Sequence, residues 1–171
     1  MRCLVIDDSP DDSSLVERML RKLGHRPTCV DSGAEGLAAV KAEEFDVAVV
    51  DLGMPGLSGA ETIRALRRRV PRLKLLVVSG FDDRAHVLEA LDAGADGFIL
   101  KPELGKRLGD AIAELAGGGS PLSPRVGTIL LRHVAGRINP PPPRHPNPLA
   151  DRTGEIQIPI IPGREREPRR S

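Results

Sequence analysis

Five short apolar runs alternate with segments of helical periodicity through the first part of this 171-residue chain. Each run is followed by leucines, isoleucines or valines spaced three or four residues apart, which predicts five strands and five helices. The runs are RCLVID, RPTCVD, FDVAVVD, LKLLVVS and DGFIL. Strict alternation of strand and helix favours a parallel sheet with right-handed crossovers and helices on both faces. We therefore predict an α/β domain with a doubly wound parallel sheet over residues 1–118.

Carboxylates end two of the predicted strands. Asp7 and Asp8 follow the first strand and Asp51 follows the third, directly before a glycine- and proline-rich turn. In open α/β sheets the crevice at the carboxyl ends of the strands binds ligands, so these side chains would converge there. Carboxylates held together repel one another unless a cation neutralises them, and an all-oxygen set of ligands suits Mg²⁺. The sequence predicts a magnesium site at this edge.

A hydroxyl and an ammonium group reach the same edge. Ser79 ends the fourth predicted strand and Lys101 follows the fifth. Phosphoryl transfer needs an in-line nucleophile, a bridging cation and donors for the remaining phosphoryl oxygens. Carboxylates can accept phosphoryl groups covalently, so Asp51 is the candidate nucleophile, with Lys101 and Ser79 binding phosphoryl oxygens. We interpret Asp11 and Asp12 as charges at the start of a helix.

The motifs LVIDD, VVDLGMPGLSG, VVSG and GADGFILKP, in this order and spacing, resemble the receiver domain of bacterial two-component response regulators. The resemblance covers residues 1–116 and implies a flavodoxin-like sheet with strand order 2-1-3-4-5. It also implies that a sensor histidine kinase supplies the phosphoryl group. The roles that it implies are Asp51 as phosphoacceptor, Asp7 and Asp8 as the acid pair, and the backbone carbonyl of Gly53 as a further Mg²⁺ ligand.

A switching mechanism is implied by the same resemblance. Ser79 would be the switch hydroxyl and Phe98 the aromatic switch residue, with a cis peptide bond between Lys101 and Pro102. A phosphoryl group on Asp51 would draw Ser79 inward and change the surface of the fourth helix, fifth strand and fifth helix. A partner protein or a second copy of the chain would bind that surface.

The composition changes after the first domain. Residues 1–116 carry 16 Lys and Arg against 20 Asp and Glu, whereas residues 117–171 carry nine against four. Ser123 and Pro124 predict the start of a short helix in a linker over residues 119–138.

The last segment, residues 139–171, contains nine of the 16 prolines, which favours disorder. The sequence from the glycine run onward resembles the approach to the helix-turn-helix domain of LuxR-type regulators. Prolines interrupt the pattern before a recognition helix could form, so we expect the remnant of an output domain without DNA binding.

Two other functions remain open on the sequence. One is a LuxR-type DNA-binding regulator whose short tail still works, and the other is a Mg²⁺-dependent phosphatase with an aspartate nucleophile. A haloacid-dehalogenase-like phosphatase needs an Asp-x-Asp arrangement after the first strand, where this chain has adjacent Asp7 and Asp8. A receiver would instead catalyse only its own phosphorylation and dephosphorylation.

Two further features bear on partners. The basic run RALRRR at 64–69 is interpreted as a solvated helix face rather than a site for phosphate or nucleic acid. The apolar runs are too short to span a bilayer and charged residues interrupt the first of them, so we expect a cytoplasmic protein without membrane contact.

Overall fold

The computed structural model describes residues 1–138, and the Pro-rich tail predicted over residues 139–171 lies outside the described residues. The strands are β1 (Arg2–Ile6), β2 (Arg26–Val30), β3 (Val47–Val50), β4 (Lys74–Ser79) and β5 (Gly97–Leu100). The helices are α1 (Pro10–Lys22), α2 (Gly33–Ala42), α3 (Gly59–Arg69), α4 (Arg84–Asp92), α5 (Leu104–Ala116) and α6 (Pro124–Ile138). A short 3₁₀ turn, Lys101–Glu103, connects β5 to α5.

The sheet is parallel throughout, with strand order β2-β1-β3-β4-β5, which confirms the predicted flavodoxin-like fold. β1 lies beside β3, and Ile6 at the end of β1 is in register with Val50 at the end of β3. The residues that follow these two strands are therefore neighbours. Because the order of strands reverses at β1, the loops after β1 and β3 border the crevice where ligands bind in folds of this type.

The core consists of two apolar layers, one on each face of the sheet. Residues of β1 alternate between them: Leu4 and Ile6 belong to the layer that contains α3 and α4, whereas Cys3 and Val5 belong to the layer that contains α1 and α5. Because the inner strands are covered on both faces, their sequences are almost continuously apolar. Cys3 is buried and Cys29 is half-buried, and both are free thiols.

The predicted short helix is present as α6, and the residues before it extend the sheet. The backbone N–H of Phe98 donates to the carbonyl of Pro121 (2.9 Å), and the N–H of Ser123 donates to the carbonyl of Phe98 (2.9 Å). Val126 of α6 is fully buried in the layer that contains α4. This segment covers the edge strand β5, which would otherwise present unpaired backbone groups. Within residues 1–138, the helices are too short or too polar to cross a membrane.

Thr62 of α3 carries a buried hydroxyl group, and removal of that group should stabilise the protein. It is fully buried, and its Oγ1 has no hydrogen-bond partner among residues 1–138. Because an unsatisfied buried hydroxyl costs roughly 1–3 kcal/mol, we expect Thr62→Val to raise the free energy of unfolding by about 1 kcal/mol in urea titrations. Thr62→Ser, which keeps the hydroxyl and loses a methyl group, should lower it. A loss of stability in Thr62→Val would show that the hydroxyl is hydrogen-bonded in solution.

Candidate functional site

Three carboxylates meet at the carboxyl ends of β1 and β3. One oxygen from each of Asp7, Asp8 and Asp51 lies within 4.8 Å of the others. Asp7 and Asp51 are buried, whereas Asp8 is exposed to solvent. The structure thus brings together the three acidic residues selected from the sequence, two of them withdrawn from water and one at the mouth of the crevice.

Backbone donors fix the two buried carboxylates. Oδ2 of Asp51 accepts a hydrogen bond from the N–H of Gly53 (3.1 Å), and Oδ1 of Asp7 accepts one from the N–H of Ser9 (2.9 Å). Because each bond comes from a residue two positions further along the chain, the loop itself orients the carboxylate. The remaining oxygens are left for other partners.

The first turn of α3 packs against the backbone of Asp51 and Leu52. A Cβ on Gly59 would collide with the backbone carbonyl oxygen of Asp51 and would lie 2.6 Å from Cα of Leu52. Ser58 caps the helix, and its side chain and that of Glu61 form a capping box. This cap fixes where α3 begins, and glycine at position 59 allows the helix to contact the main chain that carries Asp51.

Lys101 lies among three carboxylates. Its Nζ is 3.4 Å from Oδ1 of Asp51 and 3.5 Å from Oδ2 of Asp7, but 2.6 Å from Oδ2 of Asp12. Asp12 does lie in the first turn of α1, as the sequence indicated, but its pairing with Lys101 was missed. Asp8 lies before α1, so the spacing of the acidic residues in the sequence gave no signal of this pairing.

The charges in the site alter the pKa values of Asp7 and Lys101. Burial raises the pKa of the Asp7 carboxyl group, and the charges of Asp51 and Asp12 raise it further against the opposing effects of the Ser9 N–H and Lys101. For Lys101 burial lowers the pKa, but the hydrogen bond to Asp12 and the charges of Asp51 and Asp7 outweigh it, so the net pKa is raised. The ammonium group is therefore charged at neutral pH. The excess of carboxylates favours a bound cation.

Ser79, at the end of β4, is fully buried, and its Oγ accepts a hydrogen bond from the N–H of Phe81 (3.1 Å). The Phe81 ring is 40% exposed and stacks on His86 with 4.2 Å between ring centroids. Phe98 is fully buried in β5 and packs within the core layer that also holds Val126. The switch roles of Ser79 and Phe98 stay predictions.

The peptide bond between Lys101 and Pro102 is trans, so the implied cis bond is wrong for this structure. Pro102 lies in the first turn of the 3₁₀ segment Lys101–Glu103. Its fixed φ angle and missing N–H are compatible with that position in a helical turn.

The segment that leads into α6 contacts both loops of the site. Oγ of Ser123 accepts a hydrogen bond from the N–H of Leu100 (3.0 Å) and donates one to Oε2 of Glu103 (2.7 Å). On the other side, Nε of Arg125 lies 2.8 Å from Oδ2 of Asp82, in the loop after β4. Residues 121–125 are thus attached to Leu100 and Glu103, on either side of Lys101, and to Asp82, which follows Ser79 closely in the sequence.

Comparisons with known proteins all point to one family. The model of the response regulator receiver domain matches residues 3–113. The sensory/regulatory protein RpfC of Xanthomonas campestris pv. campestris is 36% identical over 120 residues, which cover 68% of this chain and 16% of RpfC. The chain therefore corresponds to a small part of that relative's length.

Two further proteins are similar over nearly their whole length. The chemotaxis protein CheY of Pseudomonas aeruginosa is 31% identical over 118 residues, covering 67% of this chain and 95% of CheY. The crystal structure of a LuxR-family two-component response regulator from Aurantimonas sp. superimposes with a TM-score of 0.73 at 24% identity, covering 78% of this chain and 97% of that one. At that identity the structural match supports the fold.

Proposed function

The chain belongs to the family of response regulator receiver domains, and we propose that it accepts a phosphoryl group on Asp51 from a sensor histidine kinase. The observation that carries the proposal is the setting of Asp51. Its carboxylate is buried at the end of β3, within 4.8 Å of oxygens from Asp7 and Asp8 and 3.4 Å from Nζ of Lys101. A nucleophilic carboxylate, a site for a cation and a fixed ammonium group are what phosphoryl transfer requires.

The transfer can be written in terms of residues of this chain. The free oxygen of Asp51 attacks phosphorus in line, and a P–O bond forms as the P–N bond to the donor imidazole breaks, leaving the bonding electrons on nitrogen. Lys101 is close enough to stabilise the charge on the phosphoryl oxygens. The hydroxyl of Ser79, which accepts a hydrogen bond from the N–H of Phe81, would bind another phosphoryl oxygen.

The donor set fits Mg²⁺. Asp7, Asp8 and Asp51 offer only carboxylate oxygens, and burial makes the charge of Asp7 unfavourable unless a cation is near. We propose that these three residues and the backbone carbonyl of Gly53 hold the ion. When bound, Mg²⁺ neutralises charge that develops on the transferring group.

The organisation beyond the site is part of the same proposal. We place the receiver at residues 1–118 and a linker that contains α6 at residues 119–138; the tail at 139–171 lies outside the described residues. A partner protein or a second copy would contact the face formed by α4, β5 and α5, where α6 already covers part of α4 and β5. We propose a cytoplasmic protein that catalyses only its own phosphorylation and dephosphorylation.

Intact-mass spectrometry after incubation with acetyl phosphate tests the proposal. We expect one phosphoryl adduct per chain, dependent on Mg²⁺, and its complete loss in Asp51→Asn. The chain contains no Trp or Tyr, so mass is a better readout than fluorescence quenching.

Asp31→Asn is the matched control, because Asp31 also follows a strand at this edge of the sheet but is exposed. It should be labelled as the wild type is. An adduct that persists in Asp51→Asn, or its absence from the wild type under conditions that label another receiver, would refute the proposed function.

A further inference from the structure

Asp12 is the nearest charged partner of Lys101. The distance from Nζ of Lys101 to Oδ2 of Asp12 is 2.6 Å, compared with 3.4 Å to Asp51 and 3.5 Å to Asp7. Hydrogen bonds between an ammonium group and a carboxylate are typically about 2.7–2.9 Å long. Lys101 is therefore hydrogen-bonded to Asp12, while the two buried carboxylates attract it only through their charge.

The position of Asp12 suits it to hold an ammonium group. Its backbone lies in the first turn of α1, where its N–H donates to Oγ of the capping residue Ser9 (3.4 Å). The Asp12 side chain is 39% exposed, whereas those of Asp7 and Asp51 are 6% and 8% exposed. A carboxylate still in contact with water keeps its charge at little desolvation cost. Asp12 can thus form a hydrogen bond with Lys101 while Asp7 and Asp51 stay buried at the site.

We propose that Asp12 is a positioning residue that holds Lys101 in a hydrogen bond which a phosphoryl group on Asp51 must displace, and so limits how readily Asp51 is phosphorylated. This inference rests on the proposed function. A phosphoryl group on Asp51 must compete with Asp12 for the ammonium group of Lys101, which is a compact charge on a flexible stem. The negative charge of Asp12 also repels an anionic phosphodonor. The competition for Lys101 disfavours the phosphorylated state, and the repulsion disfavours binding of the donor.

Asp12→Asn separates this role from a structural one. We expect the acetyl phosphate concentration that gives half-maximal labelling to fall about fivefold, with a smaller change in the maximal rate. The matched control is Asp11→Asn, which removes the same charge from the same helical turn; Asp11 is exposed and forms no ion pair within residues 1–138. If Asp12 acted only through its charge or through helix stability, both variants would change labelling equally.

The contact itself can be measured without metal or phosphodonor by thermal unfolding. Asp12→Asn should lower the Tm by a few degrees when Lys101 is present and by much less in a Lys101→Met background, since the interaction needs both partners. Equal Tm losses in the two backgrounds would overturn the inference.

The labelling experiment distinguishes the two proposals. If Asp51 is labelled and Asp12→Asn has the same dependence on acetyl phosphate as the wild type, the positioning role is refuted and the proposed function stands. If the wild type takes no label at Asp51, the proposed function is refuted, and the inference that rests on it falls too.

Discussion

Replacement of Arg67 by alanine is expected to lower the free energy of unfolding by about 2–3 kcal/mol. Arg67 lies in α3, and its guanidinium group binds three backbone carbonyls: Nη2 donates to Gly94 (2.7 Å), and Nη1 donates to Pro71 (2.8 Å) and Leu73 (3.0 Å). Nη2 also forms a 2.6 Å ion pair with Oδ2 of Asp96. One side chain thereby fixes the end of α3 to the segments that lead into β4 and β5.

The expected loss of stability is large because the groups that bind Arg67 remain partly buried when the arginine is removed. Oδ2 of Asp96 also accepts a hydrogen bond from the N–H of Leu75 (2.8 Å), and the Asp96 side chain is only 27% exposed. Without arginine a half-buried carboxylate loses its counter-charge, which costs more than the loss of an exposed ion pair.

Urea denaturation of Arg67→Ala measures this loss, and Arg68→Ala is the matched control. Arg68 is the next residue of the same helix and is exposed, so its replacement should change the free energy of unfolding by about 0.5 kcal/mol or less. Similar losses in the two variants would show that the network around Arg67 contributes nothing beyond an ordinary surface residue.

The basic run in α3 shows how far a run of charges predicts which side chains are exposed to solvent. A solvated face was predicted for RALRRR, and this holds for Arg64 and Arg68, which are exposed. It does not hold for Arg67, which lies four residues after the fully buried Ile63 and so on the side of α3 that faces the protein. Composition identified a basic helix, but only the phase of the helix relative to the core separates a solvated arginine from one that joins three elements.

The strands were predictable because of where they lie in the sheet. All four residues of β3 are buried, so the sequence Val47–Val50 is uniformly apolar and is easily recognised. Even β2, whose residues are only partly buried, ends in a recognisable apolar pair before Asp31. Which strands are neighbours is not contained in such patterns, and the order 2-1-3-4-5 came from the resemblance to receiver domains.

The site was predictable where a residue follows a strand, and not where packing places it. Asp7, Asp51 and Lys101 could be found because parallel strands end at a common edge. The pairing of Asp12 with Lys101 depends on the rotation of α1. The attachment of Pro121–Ser123 to β5 uses backbone hydrogen bonds, which leave no periodic pattern of side chains. Both features required the three-dimensional structure.

Gly59→Ala is expected to damage both stability and phosphorylation. The added methyl group would collide with the carbonyl oxygen of Asp51 and lie 2.6 Å from Cα of Leu52, and neither backbone group can turn aside as a flexible side chain would. Helix α3 must then move away from the end of β3. We expect a loss of about 3 kcal/mol in urea denaturation, because overpacking usually costs about 1–3 kcal/mol and this contact is with backbone. Labelling of Asp51 by acetyl phosphate should also slow.

Gly105→Ala is the matched control, and we expect it to have the opposite effect on stability. Gly105 lies near the start of α5, and a Cβ there would meet no atom within 4 Å. Alanine is favoured over glycine in a helix by about 1 kcal/mol, so this variant should be slightly more stable and should be labelled normally. If Gly59→Ala behaved in the same way, α3 would not press on the main chain of Asp51. If Gly59→Ala were destabilised but labelled at the wild-type rate, the helix would contribute to folding without positioning the nucleophile.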